Sequence, residues 1–155
     1  MYKRQAGSRA LDDDLEDLRG RAGIAMLKLD RPPNAQGLSH GGVAIAYNEN
    51  KCSFTTVNIR NPDSWEVLVG CGQFVGFSRP VLVVACYVPP GYPVPKGSAC
   101  VAYIRDVVTE LKRKYDDPYI TVAGDLNQWE IGAALGNFPD LLEVCLLYTS
   151  PSPRD

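Results

Sequence analysis

Apolar and polar positions along the chain follow two rhythms, and the change from one to the other divides it. From Ile24 to Leu29, and again in Gly42-Val43-Ala44-Ile45-Ala46-Tyr47, Cys52 to Ile59, Trp65 to Phe74 and Val81 to Val88, short runs rich in β-branched and aromatic residues predict strands. Arg31-Pro32-Pro33-Asn34-Ala35-Gln36-Gly37 reads as a loop, and Asn48-Glu49-Asn50 and Asn61-Pro62-Asp63 supply turns between strands. An antiparallel meander is the simplest arrangement of these runs. From Gly97 the period lengthens. Cys100, Ile104, Val107, Val108, Leu111 and Tyr115 recur at three- and four-residue intervals, with Arg105, Glu110, Lys112 and Arg113 opposite them, which predicts a helix. Pro118 ends it, Tyr119-Ile120-Thr121-Val122-Ala123 predicts a buried strand, and a second helix is expected from near Gln128 to Gly136 or Pro139. Leu11, Leu15 and Leu18 mark a further short helix whose acids form a solvated face. Strands followed by helix, strand and helix predict an α/β layered domain.

Composition narrows the class. The 155 residues, 45% of them hydrophobic, suit one domain with a real core. No stretch approaches the ~20 apolar residues of a membrane span, and no apolar run follows Met1-Tyr2-Lys3-Arg4, so a soluble, non-secreted protein is expected. Cys52, Cys71, Cys86, Cys100 and Cys145 are odd in number and lack CxxC spacing, which predicts reduced, mostly buried thiols. With His40 the single histidine, chemistry must rest on carboxylates, amides and hydroxyls.

Both ends look foreign to the rest. Residues 145–155, Cys-Leu-Leu-Tyr-Thr-Ser-Pro-Ser-Pro-Arg-Asp, resemble a translated sequencing-library adapter, and residues 1–5, Met-Tyr-Lys-Arg-Gln, resemble its reverse complement. Residues 6–144 are then the expected native part, and the two ends are expected to pack on nothing. Setting aside Lys3, Arg4, Arg154 and Asp155 takes the formal net charge from −2 to −4, which argues against a broad basic nucleic-acid footprint.

The sharpest candidate chemistry is Gly124-Asp125-Leu126-Asn127, placed directly after the apolar strand. Residues i and i+2 of a strand share a side, so Asp125 and Asn127 can project together from a sheet edge as a general base and a neutral donor for a phosphoryl oxygen. Equally, the motif fits a turn in which Asp125 or Asn127 caps the next helix. In Val83-Val84-Ala85-Cys86-Tyr87-Val88-Pro89-Pro90, Tyr87 can present its hydroxyl at a strand end, or serve as an ordinary rim or core aromatic. Ser39-His40-Gly41-Gly42 matches no phosphate-cradling loop, and His40 has no ligand-spaced partner.

The succession GGVAIAY, VVACYVPPGY, a helix and ITVAGDLNQW resembles the endonuclease/exonuclease/phosphatase superfamily across residues 11–144, most of all the endonuclease domains of non-LTR retrotransposons. The resemblance implies a fragment of a four-layered α/β sandwich, Mg²⁺ dependence, phosphoester hydrolysis, DNA as substrate partner and an intracellular, including nuclear, location. Tyr87 falls on the family's phosphate-contacting tyrosine, Asp125 on the aspartate that orients the attacking water, and Asn127 on the asparagine of the same motif. The family's metal-binding glutamate would stand upstream of Ala6, and its further aspartate and catalytic histidine downstream of Val144, so the metal ligand set is unknown and this chain is expected to be inactive alone. A phosphatase of the same superfamily and a non-catalytic scaffold domain are the alternatives.

Overall fold

The computed structural model describes residues 23–31, 42–63, 65–127 and 129, with the backbone of 141–146. The expected helix at Leu11–Leu18, most of the loop after Arg31, His40, the second helix and both foreign-looking termini up to residue 5 and beyond residue 146 lie outside them.

Among the described residues seven strands and one helix follow in order: β1 (Ile24–Asp30), β2 (Gly42–Asn48), β3 (Cys52–Thr56), β4 (Glu66–Phe74), β5 (Val81–Tyr87), α1 (Val94–Lys114), β6 (Tyr119–Asp125) and β7 (Leu141–Leu146). The predicted meander is divided between two sheets. β1 and β2 pair antiparallel on their own, and β3-β4-β5-β6-β7 form a five-stranded sheet in that order. Within it β3, β4 and β5 are antiparallel, whereas β5, β6 and β7 are parallel. A parallel partner requires a crossover, and α1 is that crossover.

Alternation along the strands assigns each face of the larger sheet. Val67, Val69, Leu82, Val84, Cys86, Ile120 and Val122 turn one way and meet Cys100, Ile104, Val107, Val108 and Leu111 of α1, all of them buried. Their neighbours in the pleat, Leu68, Ala85 and Val83, turn the other way with Phe54 and pack on Leu27, Leu29, Val43 and Ile45 of the smaller sheet. Gly72 makes room there, because a methyl group in its place would overlap the Phe54 ring. Helix, sheet and sheet thus form a mixed α/β fold consistent with part of a four-layered sandwich.

Three boundaries differ from the sequence reading. α1 starts at Val94, earlier than Gly97, because Pro95 in the first turn lacks only an N–H that would have no helical partner. β3 stops at Thr56 rather than Ile59, and the side chain of Asn61 closes the following turn by accepting from the Trp65 N–H at 2.8 Å and donating to its carbonyl at 2.7 Å. β7 was not expected, and it crosses the boundary set at 144/145. The backbone of Cys145 pairs with Ala123 and that of Leu146 with Gly124, so these two residues do not stand apart from the fold.

Candidate active site at the mouth between the sheets

The C-terminal ends of β5 and β6 carry two of the predicted site residues side by side. Tyr87 and Asp125 are direct register partners, and Glu66 at the start of β4 is the partner of Tyr87 on its other side. Paired residues share a face. The Glu66, Tyr87, Asp125 row continues the Leu68, Ala85, Ala123 row, so it faces the smaller sheet, at the rim where the apolar packing between the sheets ends. Tyr87 and Asp125 are both half-buried, and Tyr87 is not among the core residues.

Asn127 reaches this rim by a different route from the one the pleat suggested. β6 ends at Asp125, and Asn127 sits in a turn with φ 51°, a left-handed conformation that asparagine tolerates better than most side chains. Asp125 Oδ1 accepts the Asn127 backbone N–H at 3.0 Å, so the turn-forming role weighed for this motif is present. The Asn127 side-chain amide donates to the Val88 carbonyl at 2.9 Å, while the Val88 N–H donates to the Asp125 carbonyl at 3.0 Å. Residues after β5 and after β6 are thereby stitched together. Gly124 makes this possible: its φ is 154°, and any Cβ would run into the Cys86 carbonyl.

Sequence reasoning missed two residues at this rim. Arg31, the first residue after β1, reaches from the smaller sheet to form a forked pair with Glu66, Nε to Oε1 at 2.7 Å and Nη2 to Oε2 at 3.0 Å. Its guanidinium carbon lies 5.3 Å from the centre of the Tyr87 ring. The bond to Glu66 holds the Arg31 guanidinium above its usual range, against the opposing effect of its partial burial. The Glu66 side chain is only 10% exposed. A charged residue opening an otherwise apolar strand was the available signal.

Burial pushes the Cys86 thiol up to about 12, so this neighbour of Tyr87 is a protonated core group and no nucleophile. Cys52, Cys71, Cys86 and Cys100 are all free thiols. Among the described residues no three His, Cys, Asp or Glu side chains converge as a metal site. Of the two carboxylates in the row, Glu66 is engaged by Arg31, which leaves Asp125 as one oxygen donor. These residues do not by themselves fit a magnesium ion. Among them, too, no helix is long and apolar enough to cross a membrane.

No protein-family model matches the chain, and no curated protein matches it. Solved structures do. The catalytic domain of human Nocturnin with a bound sulfate anion superposes with a TM-score of 0.63 at 14% identity, covering 86% of this chain and 54% of that one. A humanized D. rerio TDP2 carrying 14 mutations superposes with a TM-score of 0.51 at 15% identity, covering 82% of this chain and 49% of its own. Both neighbours belong to the endonuclease/exonuclease/phosphatase superfamily, so the fold is of that type. The chain spans about half the length of each.

Proposed function

We propose that this chain is part of a phosphodiesterase-type hydrolase, a DNA endonuclease of retroelement kind, in which Tyr87, Asp125 and Asn127 handle the phosphoester. The observation that carries the reading is the adjacency of Tyr87 and Asp125 at the C-terminal rim of the parallel strands, with Asn127 folded back beside them. Asp125 has one carboxylate oxygen fixed by the Asn127 N–H, which sets the plane in which its other oxygen accepts a proton from an attacking water. Asn127 spends one amide hydrogen on Val88 and has a second for a phosphoryl oxygen. The Tyr87 hydroxyl donates to another such oxygen, and both donors gain strength where charge accumulates in the transition state. Magnesium dependence belongs to the proposal for the full domain, with its ligands supplied by residues beyond those described.

The acidic charge of the chain, −2 overall, favours a second reading, a phosphatase of the same superfamily acting on small phosphate esters. One experiment addresses both. In the full domain that contains this chain, Asp125→Ala should reduce Mg²⁺-dependent nicking of supercoiled plasmid by at least about a hundredfold, with thermal stability nearly unchanged. Full nicking by the variant would remove Asp125 from the mechanism. Phosphate release from an inositol phosphate without nicking would replace the nuclease reading with the phosphatase one.

A further inference from the structure

We propose that Arg31 and Glu66 form a brace that positions the ring of Tyr87, and with it the hydroxyl offered to the phosphoester; the inference rests on the function proposed above. Three features converge on it. Glu66 and Tyr87 are register partners across β4 and β5, so their side chains leave the sheet together on the side of Asp125. The fork from Arg31 to Glu66 fixes the guanidinium plane by two bonds, at 2.7 and 3.0 Å, which one carboxylate and one guanidinium satisfy in only one relative orientation. That guanidinium then stands against Tyr87, 5.3 Å from its ring centre.

A guanidinium lying against an aromatic ring is attracted by its electron-rich face, so the plane that the fork fixes also limits how Tyr87 can turn. Held by its ring, Tyr87 keeps its hydroxyl at the rim beside Asp125. Glu66 has a second effect. By balancing the charge of Arg31 it keeps the pair from attracting phosphate on its own, so the pair acts through Tyr87. Because Arg31 comes from the smaller sheet and Tyr87 from the larger, the brace also holds the mouth between them at a fixed width. Arg31 and Glu66 are positioning residues in this arrangement, and neither touches substrate.

The test uses the 155-residue chain with tyrosine labelled at Cζ, followed by NMR during titration with dimethyl phosphate as a minimal diester. Arg31→Gln and Glu66→Gln should each displace the Tyr87 Cζ resonance while leaving the amide spectrum of α1 in place. Arg31→Lys keeps the charge but loses the fork, and should behave as Arg31→Gln does. Tyr87→Phe and Arg31→Gln should each weaken diester binding about fivefold, the worth of one hydrogen bond, and the double variant should lose no more than either single one. A Tyr87 resonance unmoved by Arg31→Gln or Glu66→Gln overturns the brace whatever the ligand does. Additive losses overturn it as well, since Arg31 would then contact the diester itself. If Tyr87→Phe and Asp125→Asn leave binding unaltered, the proposed function fails, while the Cζ resonance still decides the brace.

Discussion

The two ends of the central strands carry the same chemical set with opposite consequences. At the rim, Arg31 pairs with Glu66 and lies against Tyr87. At the other end Arg79 pairs with Asp117 and lies 4.1 Å from the centre of the Tyr119 ring. The aromatic contact is closer at this second end, yet its acid is 71% exposed where Glu66 is 10% exposed. Tyr119 begins β6, whereas Tyr87 ends β5 beside Asp125. An arginine, a carboxylate and a tyrosine therefore do not by themselves mark a candidate site. Position does: only one set stands at the C-terminal edge of parallel strands, under partial burial, with a further carboxylate in register.

The widest gap between the ends should come from glycine. Gly124→Ala places a methyl against the Cys86 carbonyl at a φ of 154°, and should cost about 3 kcal/mol or more by urea unfolding. Gly76→Ala, at φ 86° in the hairpin between β4 and β5 with open space around it, should cost only about 1 kcal/mol. Similar losses at the two would mean that the approach of Gly124 to β5 is not fixed.

Next in size is the loss of one acid. Glu66→Gln removes the carboxylate from its fork with Arg31 and should destabilise by about 2 kcal/mol, discounted from the buried limit because Arg31 is 39% exposed. The denaturant midpoint should fall at constant slope.

Alkaline pH provides a graded version of the contrast. Burial raises the Cys86 thiol to about 12 in the folded chain, against 9.0 when unfolded. A raised thiol keeps its proton while the unfolded chain gives one up, so its contribution is complete below about pH 9 and declines from there toward pH 12, approaching about 1.4 kcal/mol per unit. Cys86→Ala should flatten this part of the stability curve. Cys71, half-buried and farther from the rim, is raised less, and Cys71→Ala should flatten it less.

The smallest effect belongs to the exposed pair. Asp117→Asn keeps a residue that tolerates the φ of 44° there, removes the ion pair with Arg79, and should change stability by no more than about 0.5 kcal/mol. A loss matching that of Glu66→Gln would erase the distinction between the two ends.

Much of this arrangement was legible in the sequence, and what was not has a common cause. The strands through β5 and the helix α1 each bury a face against the rest, so their periods survive in the residues. Tyr87 and Asp125 could be singled out as candidates because each ends an apolar strand, and strand ends are where a sheet presents polar groups. The division of the meander into two sheets could not be read, because it depends on how Phe54 lies over Gly72 and meets Ile45, contacts that no local pattern records. β7 was hidden by a boundary drawn from the character of the tail. Arg31 and Glu66 are 35 residues apart, and each by itself looks like any solvated charge. Asn127 was assigned to this rim by an argument from strand pleating, while the chain delivers it through a left-handed turn.

The bonds that tie Val88 to Asp125 and Asn127 also bear on how the rim comes into being as the chain folds. Asn127 and Val88 are 39 residues apart, and the loop they close contains the whole of α1. The hairpins of β3, β4 and β5 close over much shorter stretches, so ordering them removes less chain entropy before contacts compensate for it. Tyr87 belongs to that local meander, whereas Asp125 arrives only once α1 has packed and β6 has docked alongside β5. The rim is a seam between a part of the chain that can organise early and a part that cannot do so without long-range closure, and in a partly folded chain Tyr87 would stand beside Glu66 with Asp125 still absent.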